Sequence, residues 1–281
     1  MRGNVGESAA ARWALIGAAL AVMGVLLFLP LLLVFQMALS AGWEVLVAAL
    51  TSPDAAASIR LSLLVAAVVV PSNTAFGLCA AWVLTRHRFW GRRVLLPLIG
   101  LPFSVSPVVA GLMYVLLFGR TGWFGVAPLG VPILFAWPGL VLATIFVTLP
   151  YVAAGLVPVL AAAGRDEEEA GLTLGASGWQ LFWLVVLPRL RWPLLQAVLL
   201  CSARALGEFG AVAVVSGRIA GLTNTMPLEV EALYNAYDLT AAFGLAAALA
   251  SLALLTMVLR AGVDWVQARS VRAGQAAVLA R

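Results

Sequence analysis

Residues 121–165 read TGWFGVAPLGVPILFAWPGLVLATIFVTLPYVAAGLVPVLAAAGR, and the number of times this stretch crosses a membrane decides the fold. Its uncharged part, 121–164, has room for two crossings of about 20 residues each. Gly122, Gly125, Pro128, Gly130 and Pro132 break the opening portion and read as a loop. One span over about 133–157 remains. The other uncharged runs place spans at 13–39, 61–85, 94–119, 192–216 and 239–259, six in all.

The arginines decide between one crossing and two. All 17 basic residues are Arg. With six spans and an inside N-terminus, the cytoplasmic segments hold Arg2, Arg12, Arg86, Arg88, Arg92, Arg93, Arg165, Arg189, Arg191, Arg260, Arg269, Arg272 and Arg281. Arg60, Arg120 and Arg218 fall outside, and Arg204 lies within a span. That is the bias the positive-inside rule demands, and a second crossing in 121–164 would throw Arg165, Arg189 and Arg191 outside. Trp13, Trp43, Trp82, Trp123, Trp192 and Trp265 fall near span ends, as interfacial aromatics do. The expected organisation is a cytoplasmic N-terminus at 1–12, a transmembrane domain at 13–259 and a cytoplasmic tail at 260–281. A long cytoplasmic loop at about 158–191 interrupts the transmembrane domain.

Composition agrees with that count. Of 281 residues, 63% are hydrophobic and 10% charged, against roughly 25% charged in soluble domains. The chain reads as an all-α, polytopic membrane helical bundle. Without lysine it supplies neither a Walker A site nor a Schiff base. Cys79 and Cys201 lie in apolar runs and His87 is the one histidine, so no metal site and no catalytic triad is expected. The net charge of +5 marks topology, with no nucleic-acid partner expected.

Two features within the spans stand out. The run 101–111 contains Ser104, Ser106 and Gly111, a bundle-facing surface on a translocation path or ordinary close packing by small residues. Arg204 and Glu208 stand four apart on one expected helix face, and an unpaired arginine there costs about 2.5–3.5 kcal/mol. The pair lies on the path or at a gate, or it is an ion pair that locks the fifth span to its neighbours.

The cytoplasmic loop is the most informative segment. Asp166, Glu167, Glu168 and Glu169 open a helix, where acids suit the dipole. Gly175 stops that helix, Ser177 caps a second and Pro188 ends it, so a short helix–turn–helix is expected. Its apolar and aromatic residues suit a docking surface or an amphipathic segment resting on lipid.

The spacing Glu169-Ala170-Gly171, then Gly175, then Val185-x-Leu187-Pro188 resembles the EAA motif of ABC importer permeases. There the pattern is Glu-Ala-Ala, three residues, Gly, nine residues, Ile-x-Leu-Pro. Gly171 replaces the second Ala, which loosens the helix by up to about 1 kcal/mol, and Val185 replaces Ile. The resemblance implies a type I ABC importer permease of six transmembrane helices. It assigns Glu169, Ala170, Gly171, Gly175, Leu187 and Pro188 to contact with a separate ATPase. ATP and Mg would then sit on that partner, and this chain would bind no cofactor.

Residues 203–217, ARALGEFGAVAVVSG, resemble oxyanion importers of the sulfate and molybdate group. Residues 224–235 and 101–114 resemble sulfate/thiosulfate permeases of the CysW type, and the likeness spans about 13–262. It implies a second permease of the CysT type, two copies of the ATPase, and an extracytoplasmic sulfate/thiosulfate-binding protein in a bacterial inner membrane. The outer loop 217–238, with Arg218, Glu229 and Glu231, is then the dock for the binding protein, or an ordinary polar loop. A molybdate/tungstate permease is the nearest competitor. A stand-alone anion carrier would leave the EAA loop without a purpose, and a membrane enzyme would lack a second intramembrane acid.

Overall fold

In the computed structural model the described residues are 9–124 and 132–279, with side chains through Arg269. Gly125, Pro128 and Gly130 of the expected loop, together with Arg2 and Arg281, lie outside them. So apolar a chain satisfies its backbone groups within each segment, and the described residues are helical throughout their spans. The helices are α1 (Ala9–Met23), α2 (Leu29–Ser40), α3 (Trp43–Leu50), α4 (Pro53–Arg86), α5 (Arg92–Ser104), α6 (Pro107–Phe118) and α7 (Trp137–Ala162). They continue as α8 (Asp166–Thr173), α9 (Gly178–Leu181), α10 (Leu187–Leu206), α11 (Gly210–Val215), α12 (Met226–Asn235) and α13 (Leu239–Leu279).

Among the described residues, five segments are long and apolar enough to cross a membrane: Ala10–Ser40, Pro53–Arg86, Trp137–Ala162, Gly178–Leu206 and Leu239–Arg269. The single crossing in 121–164 therefore stands. The expected third span, 94–119, is instead two helices, α5 and α6, bent by 105° at Val105 and Ser106. The cause is local, because Ser106 precedes Pro107 and is held extended at φ −58°, ψ 134°.

The fifth span also differs. Expected at 192–216, it runs from Gly178 to Leu206 and stops at Gly207, with α11 a separate short helix. Pro188 does not end the second loop helix; it sits in the first turn of α10. A π turn over Phe182–Val186 precedes it, and the Leu187 N–H donates to the Phe182 carbonyl five residues back. That widened turn relieves the clash between a proline ring and the carbonyl four residues before it. The same device recurs at Gly24–Phe28 ahead of Pro30, joining α1 to α2.

The centre of the bundle is α4 against α7, backed by α10. Val65, Val69, Leu140, Val147, Ala205 and Val212 form one core cluster. Ala81, Val152, Leu156, Leu190, Ala197 and Cys201 form the next. At Gly77 a Cβ would lie 2.5 Å from Val152 Cγ1, so the two central helices approach as closely as glycine allows. Between them the buried Asn73 Nδ2 donates to Thr148 Oγ1 at 2.7 Å, a polar tie of the kind that joins membrane helices. Ala38 of α2, Leu46 of α3 and Ala247 of α13 make a peripheral cluster. Helix α1 lies outside the core, with Leu15, Leu20 and Met23 exposed for lipid or a partner.

Candidate coupling and translocation sites

The loop between α7 and α10 is built like a soluble structure. Helix α8 starts with four acids, and Gly175 closes it at φ +85°. The Ala176 N–H donates to the Gly171 carbonyl and the Gly175 N–H to that of Leu172, the paired bonds of a Schellman cap. Ser177 then caps α9: its Oγ accepts the Gln180 N–H at 3.4 Å, and Gln180 Oε1 accepts the Ser177 N–H at 2.8 Å. The expected stop at Gly175 and cap at Ser177 are both present.

Gly171 has a packing reason. A Cβ there would stand 2.5 Å from Leu181 Cδ2, so the buried Leu181 occupies the space that alanine would need. The departure from the EAA pattern is compensated across the helix pair. On the outer side, Leu174 is 88% and Trp179 71% exposed, with Leu172, Trp183 and Leu184 also open. Trp179, Phe182 and Trp183 pack against one another with ring centroids 5.5–6.3 Å apart, and Phe182 meets Trp82 of α4 edge-on at 5.9 Å. Glu169 and Ala170 are exposed beside this ridge, Pro188 is exposed and Leu187 half-buried.

Arginines that sequence counting treats only as topology markers hold the loop in place. Arg86, at the end of α4, pairs with Glu168 at 2.6 Å, donates from Nη1 to the Leu160 carbonyl at 3.1 Å and from Nη2 to that of Gly164 at 3.0 Å. Arg165 donates to the carbonyls of Thr85 and Arg86 at 3.2 and 2.7 Å. Arg189 pairs with Glu167 at 3.1 Å and donates to the Ala163 carbonyl at 2.8 Å. An acidic run opposite an arginine-bearing helix end was the available signal, and assigning both to one side of the membrane allows the pairing without locating it.

The second site lies where two spans break together. Arg204, in the last turn of α10, stands 2.8 Å from Glu208, whose side chain is 1% exposed. The helix ends at Leu206, so the pair spans a helix terminus rather than one continuous face. Nη2 is off the line of a donor to Oε2, which makes the contact an ion pair rather than an aligned hydrogen bond. The other oxygen, Oε1, accepts the Ala211 N–H at 3.0 Å and so ties Glu208 to the first turn of α11. Helix α11 packs directly on α6. A Cβ on Gly111 would meet the Ala211 carbonyl at 2.8 Å, and one on Gly210 would meet Pro107 Cβ at 2.9 Å. The α5–α6 bend and the α10–α11 break thus abut, and the exposed Ser104 and Ser106 flank the first of them.

The loop 217–238 divides in two. Arg218 pairs with Glu231 at 3.2 Å near the surface. Glu229 is 4% exposed, and its Oε2 accepts from Asn224 Nδ2 at 2.8 Å, so it is turned inward and offers no docking surface in this conformation. The Met226 N–H donates to Ser62 Oγ at 2.8 Å and joins α12 to α4.

Comparison with known proteins places these sites in context. Residues 73–272 match the family described as "Binding-protein-dependent transport system inner membrane component". The chain is 49% identical over 259 residues to the sulfate transport system permease protein CysW of Synechocystis sp., covering 92% of this chain and 94% of that protein. It is 37% identical over 248 residues to the sulfate transport system permease protein CysT of Escherichia coli K12, covering 86% and 88%. A chain of a bacterial alginate ABC transporter, solved with an alginate pentasaccharide-bound periplasmic protein, superposes with a TM-score of 0.72 over 92% of this chain and 93% of that one. At 14% identity that likeness speaks for the fold alone.

Proposed function

The chain belongs to the inner membrane components of binding-protein-dependent transport systems, and on that premise we propose that it is the permease subunit of an ATP-driven sulfate/thiosulfate importer. The observation that carries the coupling role is the rigid, exposed ridge of α8 and α9. Leu174 and Trp179 are exposed on a base locked to α4 and α7 by Arg86, Arg165 and Arg189. Apolar surface held that firmly suits a partner protein better than a mobile contact with lipid. The substrate follows the relatives of the CysW type.

In this reading a separate ATPase, present in two copies and carrying ATP and Mg, grips Glu169, Ala170, Gly171 and Gly175. Leu187 and Pro188 belong to the joint that passes the movement on. The 29-residue segment Gly178–Leu206 is continuous through that joint and about 43 Å long at 1.5 Å per residue. Its lower end carries Trp179 and Trp183, and its upper end carries Arg204. Displacement of the ridge therefore reaches the Arg204–Glu208 break as a rigid-body movement, and the abutting breaks of α5–α6 and α10–α11 form the gate. A second permease of the CysT type completes the path. Both termini are cytoplasmic in line with the arginine distribution, and a binding protein docks outside near Arg218 and Glu231.

The test is purification of the tagged chain with its native neighbours, followed by reconstitution into vesicles. The expected result is copurification of an ATPase and one different permease, with ATP-dependent uptake of labelled sulfate that excess thiosulfate suppresses. A stable preparation without an ATPase would overturn the coupling role. Uptake of molybdate in place of sulfate would overturn the substrate.

A further inference from the structure

The connection from α4 to α5 carries a site that coupling and translocation do not use. Its sequence from 86 to 93 is RHRFWGRR. Arg86 is committed to Glu168 and the Leu160 and Gly164 carbonyls, but Arg88, Arg92 and Arg93 are not: among the described residues none has a carboxylate within ion-pair distance. These three arginines line one basin of about 790 Å³ together with Phe89, Trp90 and Leu96. No acid lines it.

Three unneutralised guanidinium groups around one concavity call for an anion, and the surroundings specify what kind. The Trp90 ring is fully exposed and Phe89 partly so. A bare indole beside arginines is the combination favoured at a headgroup boundary. From the basin, α5 leads away with Val94, Leu96 and Leu98 all exposed, an apolar track continuous with the cationic rim. A free anion would leave that track uncovered, whereas a lipid covers both parts, with its headgroup in the basin and its acyl chains along α5. We propose that this basin binds the headgroup of an anionic glycerophospholipid of the cytoplasmic leaflet. The leaflet assignment rests on the orientation proposed above. Since the same chain segment ends α4 at Arg86, the basin begins two residues from the anchor of the coupling loop, at Arg88.

Each basic residue at an anionic surface contributes about fivefold to affinity, so the three together contribute on the order of a hundredfold. The test places the chain, purified with its native partner subunits, in nanodiscs of phosphatidylcholine with a minor fraction of phosphatidylglycerol. Native mass spectrometry then counts the lipid retained. The expected result is selective retention of phosphatidylglycerol, lost on the order of a hundredfold in Arg88→Gln/Arg92→Gln/Arg93→Gln and reduced in Trp90→Ala. If the triple variant does not fold, Arg93→Gln alone reads the same quantity at about fivefold. Unchanged retention in these variants would overturn the proposal. Full displacement of the lipid by millimolar inorganic phosphate would mean a free-anion site and overturn it as well. Loss of the ATPase subunit with phosphatidylglycerol retained would assign the arginines to that subunit instead. A nanodisc offers the same lipids to both faces, so the count does not depend on the orientation, and an error there leaves the result readable.

Discussion

The coupling loop and the α10–α11 break use the same materials in opposite surroundings. Both contain a glycine at a helix end and a carboxylate facing an arginine. In the loop the charges are many: Arg86, Arg165 and Arg189 reach five backbone carbonyls between them, and two acids share the pairing. At the break a single pair, Arg204–Glu208, stands among apolar helices with one backbone N–H in support. Water competes for the loop's charges and makes each exposed pair nearly dispensable, so rigidity there comes from number and from capping. In the membrane no such competitor exists, and one missing partner leaves a charge stranded.

That contrast is breakable. Glu208→Gln should show the largest effect, because it leaves Arg204 without its counter-charge, and loss of one partner of a buried pair costs about 3–5 kcal/mol. Thermal unfolding in detergent measures it. The double variant Arg204→Leu/Glu208→Leu separates the two roles open to the pair. Recovery of stability without recovery of sulfate uptake identifies a gate, whereas recovery of both identifies a structural lock. Arg86→Gln comes close behind, since Arg86 is largely buried and its loss frees Glu168 and two carbonyls; about 2–3 kcal/mol is expected from the charged hydrogen bonds alone.

Gly175→Val is smaller. A branched residue in the left-handed region costs about 1–2 kcal/mol, and the cap it disrupts orients Leu174 and Trp179. Reduced recovery of the ATPase with near-normal membrane expression is the expected outcome, and unchanged recovery would remove the loop from the contact. The smallest change belongs to Arg189→Gln. Its pair with Glu167 is exposed, and such pairs contribute about 0–1 kcal/mol. A loss there as large as that of Arg86→Gln would end the distinction between exposed and buried charge pairs.

Much of both sites was legible along the chain. The loop's stop at Gly175 and cap at Ser177 depend on residues within a few positions of each other, so local chemistry suffices. The pairing of Arg204 with Glu208 was readable from spacing and from the cost of an unpaired arginine in lipid. The bend at Val105 and Ser106 was less so, because Pro97, Pro102 and Pro107 lie close together and α5 accommodates the first two without breaking. Pro188 misled for a related reason: a π turn over Phe182–Val186 admits the proline into the first turn of α10, so it does not end a helix there. Glu229 read as surface because it stands in a polar stretch, and it is buried with its carboxylate accepting from the Asn224 amide.

The sequence by itself determined what solvation and local capping dictate: which segments are apolar enough to leave water, and where the acidic helix and the cap at Ser177 interrupt them. Those follow from the transfer energies of single residues and from caps made within one turn, neither of which needs a distant partner. Only the tertiary structure decided which helices continue and which break. It also decided that Gly171 makes room for Leu181, and that Arg86 anchors Glu168 across 82 positions of chain. These depend on contacts between residues far apart in sequence, whose energies exist only after the helices have packed.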